Sequence, residues 1–237
     1  MQTLTSHAEP EKDRPMIHGV DLSQWNVVRS YPELASAIGF GYAKCTDALK
    51  RDGRWIPFVD AKHDEHSLGL RACGKPTGSY AFGHPTQDVA ACAAFFVQHA
   101  YFDQLRPVLD LESLNPDKTV PTNAGTWAAQ WLAIVERDSG TKPIVYSGKY
   151  YAEEMLRQVP ALAAADWWIA AYGSGTTAPD HMPAVVGLLP GRVLAFQWSG
   201  SARLPGIDGD ADRDLAPSLE PLYVERPLDA GHEMAGA

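Results

Sequence analysis

The sequence has few cysteines, fewer basic than acidic residues, and no long apolar run. Its 237 residues include only 3 cysteines, and so sparse and odd a set is not a disulfide framework. No apolar run approaches the roughly 18 residues that a membrane-spanning helix requires. Lys and Arg number 20 against 29 Asp and Glu, a net charge of −9, which argues against nucleic acid and anionic membranes as partners.

Both ends of the chain have the composition of tails. Residues 1–15 are polar and lack the apolar segment of a signal peptide, so we expect a flexible N-terminal tail. Residues 221–237 are expected to form a C-terminal tail, which leaves 16–220 as one folded domain. With 45% apolar residues overall, a sizeable core can form.

Short β-rich runs alternate with longer helical stretches from residue 16 onward. The expected strands are rich in Val, Ile, Tyr, Phe and Trp and lie at 17–23, 40–46, 77–83, 107–112, 143–148, 167–173, 193–200 and, weakly, 206–214. The expected helices lie within 31–40, 58–74, 86–105, 122–140 and 147–159. This order predicts an α/β fold, a modified (β/α) TIM-like barrel that is poor in helices in its last third. An open doubly wound sheet is the alternative.

The run "PVLDLE" at 107–112 ends in two carboxylates. Side chains alternate along a strand, so Val108, Asp110 and Glu112 share one face while Leu109 and Leu111 share the other. In a barrel the two acids would point inward at the C-terminal end of the strand, where barrel enzymes have their active sites. They would sit about 6.6 Å apart along the strand. Such a pair suits glycosidic bond cleavage, and a solvated acidic face is the alternative.

Other acids also fall at expected strand ends. Asp21 ends the first strand, and "PGIDGDADRD" holds Asp208, Asp210, Asp212 and Asp214 close together. If they converge on one barrel mouth, they form an acidic cleft. A turn or cap for Asp21 and a solvated loop for the others are the alternatives, whereas a calcium loop would need a Gly and a Glu that are missing.

Aromatic residues lie near the same strand ends, where they could support the apolar faces of sugar rings or simply pack in the core. They are Tyr80, Phe82, Tyr146, Trp168, Tyr172 and Trp198.

Two competing motifs are weak. His63 and His66 are three residues apart rather than four, so we favour a solvated helix face over a metal site. Cys45 follows Lys44, and a buried thiol is favoured over a nucleophile.

Eight segments in order resemble the lysozymes of glycoside hydrolase family 25, across about residues 16–216. They are "GVDLSQW", "YAKCTD", "GSYAFGHP", "PVLDLE", "PIVYSG", "WWIAAYG", "AFQWSG" and "PGIDGDADRD". The resemblance implies a modified eight-stranded barrel that hydrolyses the β-1,4 bond between N-acetylmuramic acid and N-acetylglucosamine. It also implies no metal or organic cofactor, and glycan strands of bacterial peptidoglycan as the partner.

The resemblance assigns roles by position. Glu112 resembles the general acid, Asp110 the carboxylate that assists formation of the charged centre, and Asp21 and Asp212 the other acids of the cleft. The residues that resemble or are expected to serve as sugar contacts are Tyr80, Phe82, Tyr146, Trp168, Tyr172, Gln197 and Asp214, the last where the family often has Asn. The family often has His where Ala81 stands, and Glu where Asp47 stands.

We expect a monomer and a substrate-assisted, retaining mechanism. A wall substrate without a visible export signal indicates a phage endolysin made in the host cytoplasm and acting on the wall after release; a secreted enzyme is the alternative. A barrel that binds glycans without cleaving them, and a metal-dependent hydrolase on the same fold, also remain as alternatives.

Overall fold

The computed structural model describes residues 15–113, 119–172, 178–183, 189 and 191–225, so most of both expected tails lies outside the described residues. The strands are β1 (Ile17–Leu22), β2 (Val27–Val28), β3 (Phe40–Arg51), β4 (Arg54–Val59), β5 (Thr77–Phe82), β6 (Val108–Asp110), β7 (Ile144–Gly148), β8 (Asp166–Ala170), β9 (Arg192–Ala202), β10 (Ile207–Asp208) and β11 (Ala211–Ala216). The helices are α1 (Tyr31–Ala37), α2 (His63–Ala72), α3 (Val89–His99), α4 (Ala124–Ser139) and α5 (Lys149–Gln158).

Eight strands form a closed barrel. Their order is β1-β11-β9-β8-β7-β6-β5-β3, and parallel pairing of β3 with β1 closes the ring. The predicted modified barrel is therefore confirmed, and the open sheet is wrong. No α-helix follows α5 within the described residues, in agreement with the predicted shortage of helices in the last third.

One barrel strand runs against the others. β11 is antiparallel to both β1 and β9, whereas strand–helix alternation predicts parallel neighbours. Only residues 203–210 connect β9 to β11. A parallel return needs a crossover of about a dozen residues or more, so this short connection permits only the antiparallel arrangement.

The alternation expected for the fourth barrel strand is present. Val108 packs in a cluster inside the barrel, while Leu109 and Leu111 pack in an outer cluster with Trp127 and Trp131 of α4. The strand itself is shorter than predicted, because β6 ends at residue 110.

Capping residues account for the ends of several helices. The Ser30 hydroxyl accepts from the Glu33 amide at 3.3 Å at the start of α1, and the Asp88 carboxylate accepts from the Ala91 amide at 2.8 Å at the start of α3. α4 ends at Gly140, whose φ of 70° is left-handed. The predicted helix over 58–74 begins only at residue 63, because its first residues belong to β4.

The hairpin of β3 and β4, residues 40–59, is absent from the sequence-based prediction. Its turn is Asp52–Gly53, with φ angles of 50° and 76°. An Asp-Gly pair between β-prone runs is a strong signal for a two-residue hairpin, and it was available in the sequence. The hairpin projects from the end of the barrel at which the parallel strands terminate, which we call the mouth.

The expected solvated face for His63 and His66 is wrong. Both side chains are buried, with 2% and 0% exposure. A ring nitrogen of His63 lies 2.9 Å from the Ser79 hydroxyl, and one of His66 lies 2.9 Å from the Tyr31 hydroxyl. They are satisfied polar groups of the core, and Cys45 is the buried thiol that was predicted.

The opposite end of the barrel, which we call the base, is closed by a buried ion pair. Arg106 donates to Asp166 at 2.6 Å and to the carbonyl of Pro221 at 2.8 Å. The expected domain boundary lies at residue 220, but the chain still packs on the barrel beyond it. Leu222, for example, is fully buried. In the part of the chain that the structure describes, no helix has both the length and the hydropathy that a membrane span requires.

Candidate active site

Four carboxylates from distant parts of the sequence meet at the mouth. Asp21 lies near the end of β1, Asp110 ends β6, and Glu112 follows two residues later. Asp212 lies near the start of β11, which reaches the mouth at that point because it is antiparallel. All four line one cavity of about 450 Å³, as expected, although Asp212 reaches it from the start of an antiparallel strand and not from the end of a parallel one.

The walls of this cavity contain all but one of the expected sugar contacts. Asp214 is the exception: it is 0% exposed and does not line the cavity. The expectation that Asp214 touches substrate is therefore wrong, because its position on β11 directs the side chain into the barrel interior. The expected contacts that do line the cavity are Tyr80, Phe82, Tyr146, Trp168, Tyr172 and Gln197.

Gln197 on β9 organises the polar wall. Its amide nitrogen donates to the Asp21 carboxylate at 2.9 Å. Its amide oxygen accepts from the hydroxyls of Tyr146 at 3.0 Å and Tyr172 at 2.7 Å. The two hydroxyl donors fix the orientation of the amide, so its nitrogen faces Asp21 and holds that carboxylate in place.

The environment of the cleft raises carboxyl pKa values. Burial, and then the charges of Glu112 and Asp21, raise the pKa of Asp110. Burial, and then the charge of Asp212, raise the pKa of Glu112, and burial raises the pKa of Asp212 to about 6. Because burial and neighbouring like charges both favour the neutral carboxyl group, the cleft favours a bound proton that a reaction could use. Glu112 is partly exposed and Asp110 only 8% exposed, so Glu112 is the more accessible donor.

One wall of the cavity contains a positive charge that the sequence-based prediction of the site does not include. Lys44 of β3 donates to Asp47 at 3.0 Å, and a ring nitrogen of His84 lies 3.0 Å from the other Asp47 oxygen. Burial would raise the pKa of Asp47, but the His84 hydrogen bond and the Lys44 charge outweigh burial and lower it. The Lys44 charge also favours ionised Asp110, against burial and the acidic neighbours.

Two exposed apolar side chains of the rim were also missed. Trp25 is 80% exposed and Leu49 is 62% exposed, and both line the cavity. Recognition of the Asp52–Gly53 turn would have placed Leu49 in a hairpin, whereas the sequence offers no comparable signal for Trp25. Among the residues that the structure describes, no group of three or more His, Cys, Asp or Glu is arranged to hold a metal ion.

Comparisons with known proteins agree with this geometry. The model of glycosyl hydrolases family 25 matches residues 20–207. YegX of Escherichia coli (strain K12) is 27% identical over 209 residues, which cover 83% of this chain and 68% of YegX. The spore cortex lytic enzyme SleM of Clostridium perfringens superposes with a TM-score of 0.70 at 22% identity, over 92% of this chain and 71% of SleM. The catalytic domain of endolysin ply40 from bacteriophage P40 of Listeria monocytogenes gives 0.62 at 17% identity, over 90% and 95% of the two chains.

Proposed function

The chain belongs to glycosyl hydrolases family 25, and from that premise we propose that it is a lysozyme of bacterial cell walls. It hydrolyses the β-1,4 bond between N-acetylmuramic acid and N-acetylglucosamine in peptidoglycan. The observation that carries this proposal is the convergence of Asp21, Asp110, Glu112 and Asp212 on one cavity with aromatic walls.

In the proposed reaction Glu112 is the general acid and then the general base. It donates its proton to the glycosidic oxygen as the bond to the anomeric carbon breaks. The carbonyl oxygen of the substrate's own 2-acetamido group attacks that carbon and forms an oxazolinium-like cation, which ionised Asp110 stabilises. A water molecule then attacks the same carbon and gives its proton to Glu112, so configuration is retained without a covalent enzyme intermediate.

The electrostatics of the mouth favour the acid more clearly than the assisting group. The acid must hold a proton at working pH, and burial together with Asp212 raises the pKa of Glu112. The assisting group must be charged when the cation forms; burial and the charges of Glu112 and Asp21 raise the pKa of Asp110, and the Lys44 charge opposes that rise. The assignment of Asp110 as the anion therefore rests on its place in the cavity beside Glu112 and on Lys44, not on a lowered pKa.

Sugar binding is assigned to the polar and aromatic walls. The hydroxyls of Tyr146 and Tyr172 and the amide of Gln197 are hydrogen-bonding groups at the centre of the cleft. Tyr172 is 62% exposed at the rim, and Trp25 is 80% exposed, so both can lie against the apolar faces of sugar rings.

Digestion of purified peptidoglycan tests the proposal. New reducing ends on N-acetylmuramic acid are expected, and the Glu112→Gln variant should produce almost none. Ends on N-acetylglucosamine, or release of free peptides, would overturn it. Binding without new ends would favour the non-catalytic glycan-binding barrel, and inactivation by a chelator would favour the metal-dependent hydrolase.

The cellular role extends the same proposal. We place the enzyme as a monomer made in the cytoplasm of a phage host, acting on the wall after release; the likeness to the ply40 catalytic domain is in keeping with that role. Bacteria that express the chain alone should stay intact until their membrane is permeabilised, and then lyse. Lysis without permeabilisation would favour export of the enzyme by its host.

A further inference from the structure

The tip of the β3–β4 hairpin is basic on a chain whose net charge is −9. Lys50, Arg51 and Arg54 are all exposed there, against a single acid, Asp52. Arg51 lies directly opposite Arg54 in the antiparallel pairing. Like charges directly opposite each other destabilise a β-hairpin, so this arrangement is unfavourable unless an anion lies near both.

Among the residues that the structure describes, these three cations have no carboxylate partner. Within the part of the chain that the structure describes, Lys50, Arg51 and Arg54 form no ion pair, although Lys50 lies 5.7 Å from the centre of the Trp55 ring. Exposed arginines elsewhere do form ion pairs. Arg137 pairs with Asp138 at 2.6 Å, and Arg203 pairs with Asp210 at 3.2 Å. The hairpin tip thus has positive charge available for an external anion.

The tip is continuous with the active-site cavity. Leu49 lines the cavity, and Arg51 lies two residues further along β3, which is about 6.6 Å. Leu49 is paired with Ile56 across the hairpin, and both are exposed, so an apolar ledge connects the cavity to the cationic tip. A molecule bound in the cleft can therefore extend along the ledge to the tip.

We propose that the hairpin tip binds the carboxylates of the acidic stem peptide attached to the muramic acid residue in the cleft. This proposal rests on the proposed function, according to which the cleft binds a muramic acid residue. The mouth itself is lined by carboxylates that repel an anionic peptide, so the cations beside it determine the side on which the peptide lies.

The stem peptide fits better than a separate anionic polymer. It is covalently attached to the sugar that the cleft holds, so once the sugar binds, the peptide is at high effective concentration near the tip. The interaction of exposed charges is weak one pair at a time, and three cations acting together compensate for that weakness.

Binding of soluble glycan strands tests the proposal without turnover. In a Glu112→Gln background, the Lys50→Gln/Arg51→Gln/Arg54→Gln variant is titrated with uncrosslinked strands free of teichoic acid, either bearing their peptides or stripped of them by an amidase. We expect about tenfold weaker binding of peptide-bearing strands and unchanged binding of stripped strands. Equal loss on both, no loss on either, or a loss that appears only when teichoic acid is added would overturn the proposal.

A matched control removes the same charge at the base. Lys75 precedes β5, and Arg137 and Arg157 lie in the last turns of α4 and α5, all at the far end of the barrel. The Lys75→Gln/Arg137→Gln/Arg157→Gln variant should bind both kinds of strand like its parent; a tenfold loss on peptide-bearing strands there would show that net charge, not the hairpin, is responsible. Failure of the wild-type enzyme to produce muramic acid ends would refute the proposed function, which this binding measurement does not use.

Discussion

The pKa of a buried aspartate is lowered at one end of the barrel and raised at the other. At the base, Asp166 is 2% exposed, and burial would raise its pKa, but hydrogen bonds from Arg192 and Arg106 lower it to about 2. At the mouth, Asp110 is 8% exposed, and its neighbours Glu112 and Asp21 add to the rise in pKa that burial causes. The sign of the shift follows from the partners, because burial raises the pKa of a carboxyl group in both places.

Because of this difference, the base contributes to folding stability and the mouth contributes the groups for catalysis. The base satisfies its buried charge, so its ion pair contributes to folding. The mouth concentrates carboxyl groups with raised pKa values, which costs stability at neutral pH and supplies a proton donor. Variants at the two ends should therefore respond to pH in opposite directions.

The largest effect is expected at Glu112. Glu112→Gln removes the transferable proton but keeps the size and hydrogen-bonding shape of the side chain. Turnover of peptidoglycan should fall by about 10²–10⁴-fold, with the melting temperature unchanged or raised. Release of reducing ends and thermal unfolding measure the two quantities, and a folded Gln variant with full activity would refute the assignment.

Among the substitutions considered at the two ends of the barrel, Asp166→Asn should lower the stability of the fold most. It leaves Arg106 buried without its carboxylate, at a cost of about 3–5 kcal/mol in the free energy of unfolding at pH 7. Since the folded pKa of Asp166 lies below the ordinary 3.8, its contribution is present above about pH 4 and is lost as pH falls towards 2. Denaturant unfolding at several pH values should show the deficit shrinking in acid.

Asp180→Asn is the control for that measurement, because the Asp180 side chain is 92% exposed. Its stability should match the wild type at every pH. If the Asp166→Asn variant is as stable as this control at pH 7, the Arg106–Asp166 ion pair does not stabilise the fold.

Asp212→Asn should stabilise the protein while lowering its activity. Burial raises the folded pKa of Asp212 from 3.8 to about 6, so the favourable contribution is present below about pH 4 and is lost as pH rises through 6. Partial exposure screens the penalty, and we expect a gain of about 1 kcal/mol at pH 7.5 that vanishes near pH 4. A variant less stable than the wild type at pH 7.5 would show that the Asp212 carboxylate is structurally required.

The smallest effect is expected for Asp214→Asn. Burial, and then the charges of Asp21 and Asp212, raise the pKa of Asp214 well above its ordinary value, which favours its neutral form. Asparagine is neutral and of similar shape, and peptidoglycan turnover at pH 6–7 should change by less than about twofold. Asp214→Ala, which leaves a cavity, is the matched contrast and should destabilise the fold. A large loss of turnover in the Asn variant would show that Asp214 acts as an ion.

Local patterns in the sequence were enough to predict the barrel and most of the side chains that line the cavity. The alternation of Val108, Leu109 and Asp110 between interior and helices is a local property of a strand, and the structure retains it. Asp21 follows from a similar argument, since the ends of parallel strands meet at one edge of a barrel. Asp212 reaches the same edge from the start of β11, because that strand is antiparallel. The Asp52–Gly53 turn is an equally local signal, but the sequence-based prediction does not contain the hairpin.

The burial of individual side chains and the residues they contact could not be predicted from local sequence patterns. Asp212 and Asp214 are two residues apart on β11, yet the first lines the cavity and the second has no exposed surface. The depth of a side chain in the barrel depends on the pairing register with neighbouring strands, which is irregular between β11 and β9 near these residues. Likewise, only packing shows that His63 and His66 are enclosed core groups.

The amino-acid sequence by itself determined the order of strands and helices and the acidic and aromatic side chains at the strand ends, because both depend on residues close together in the chain. The tertiary structure decided that β11 is antiparallel, that Asp214 is buried, and that the hairpin tip projects beside the cleft. It also determined which carboxyl groups have raised pKa values, because a pKa depends on charges brought together by ring closure from positions as distant as Asp21 and Asp212.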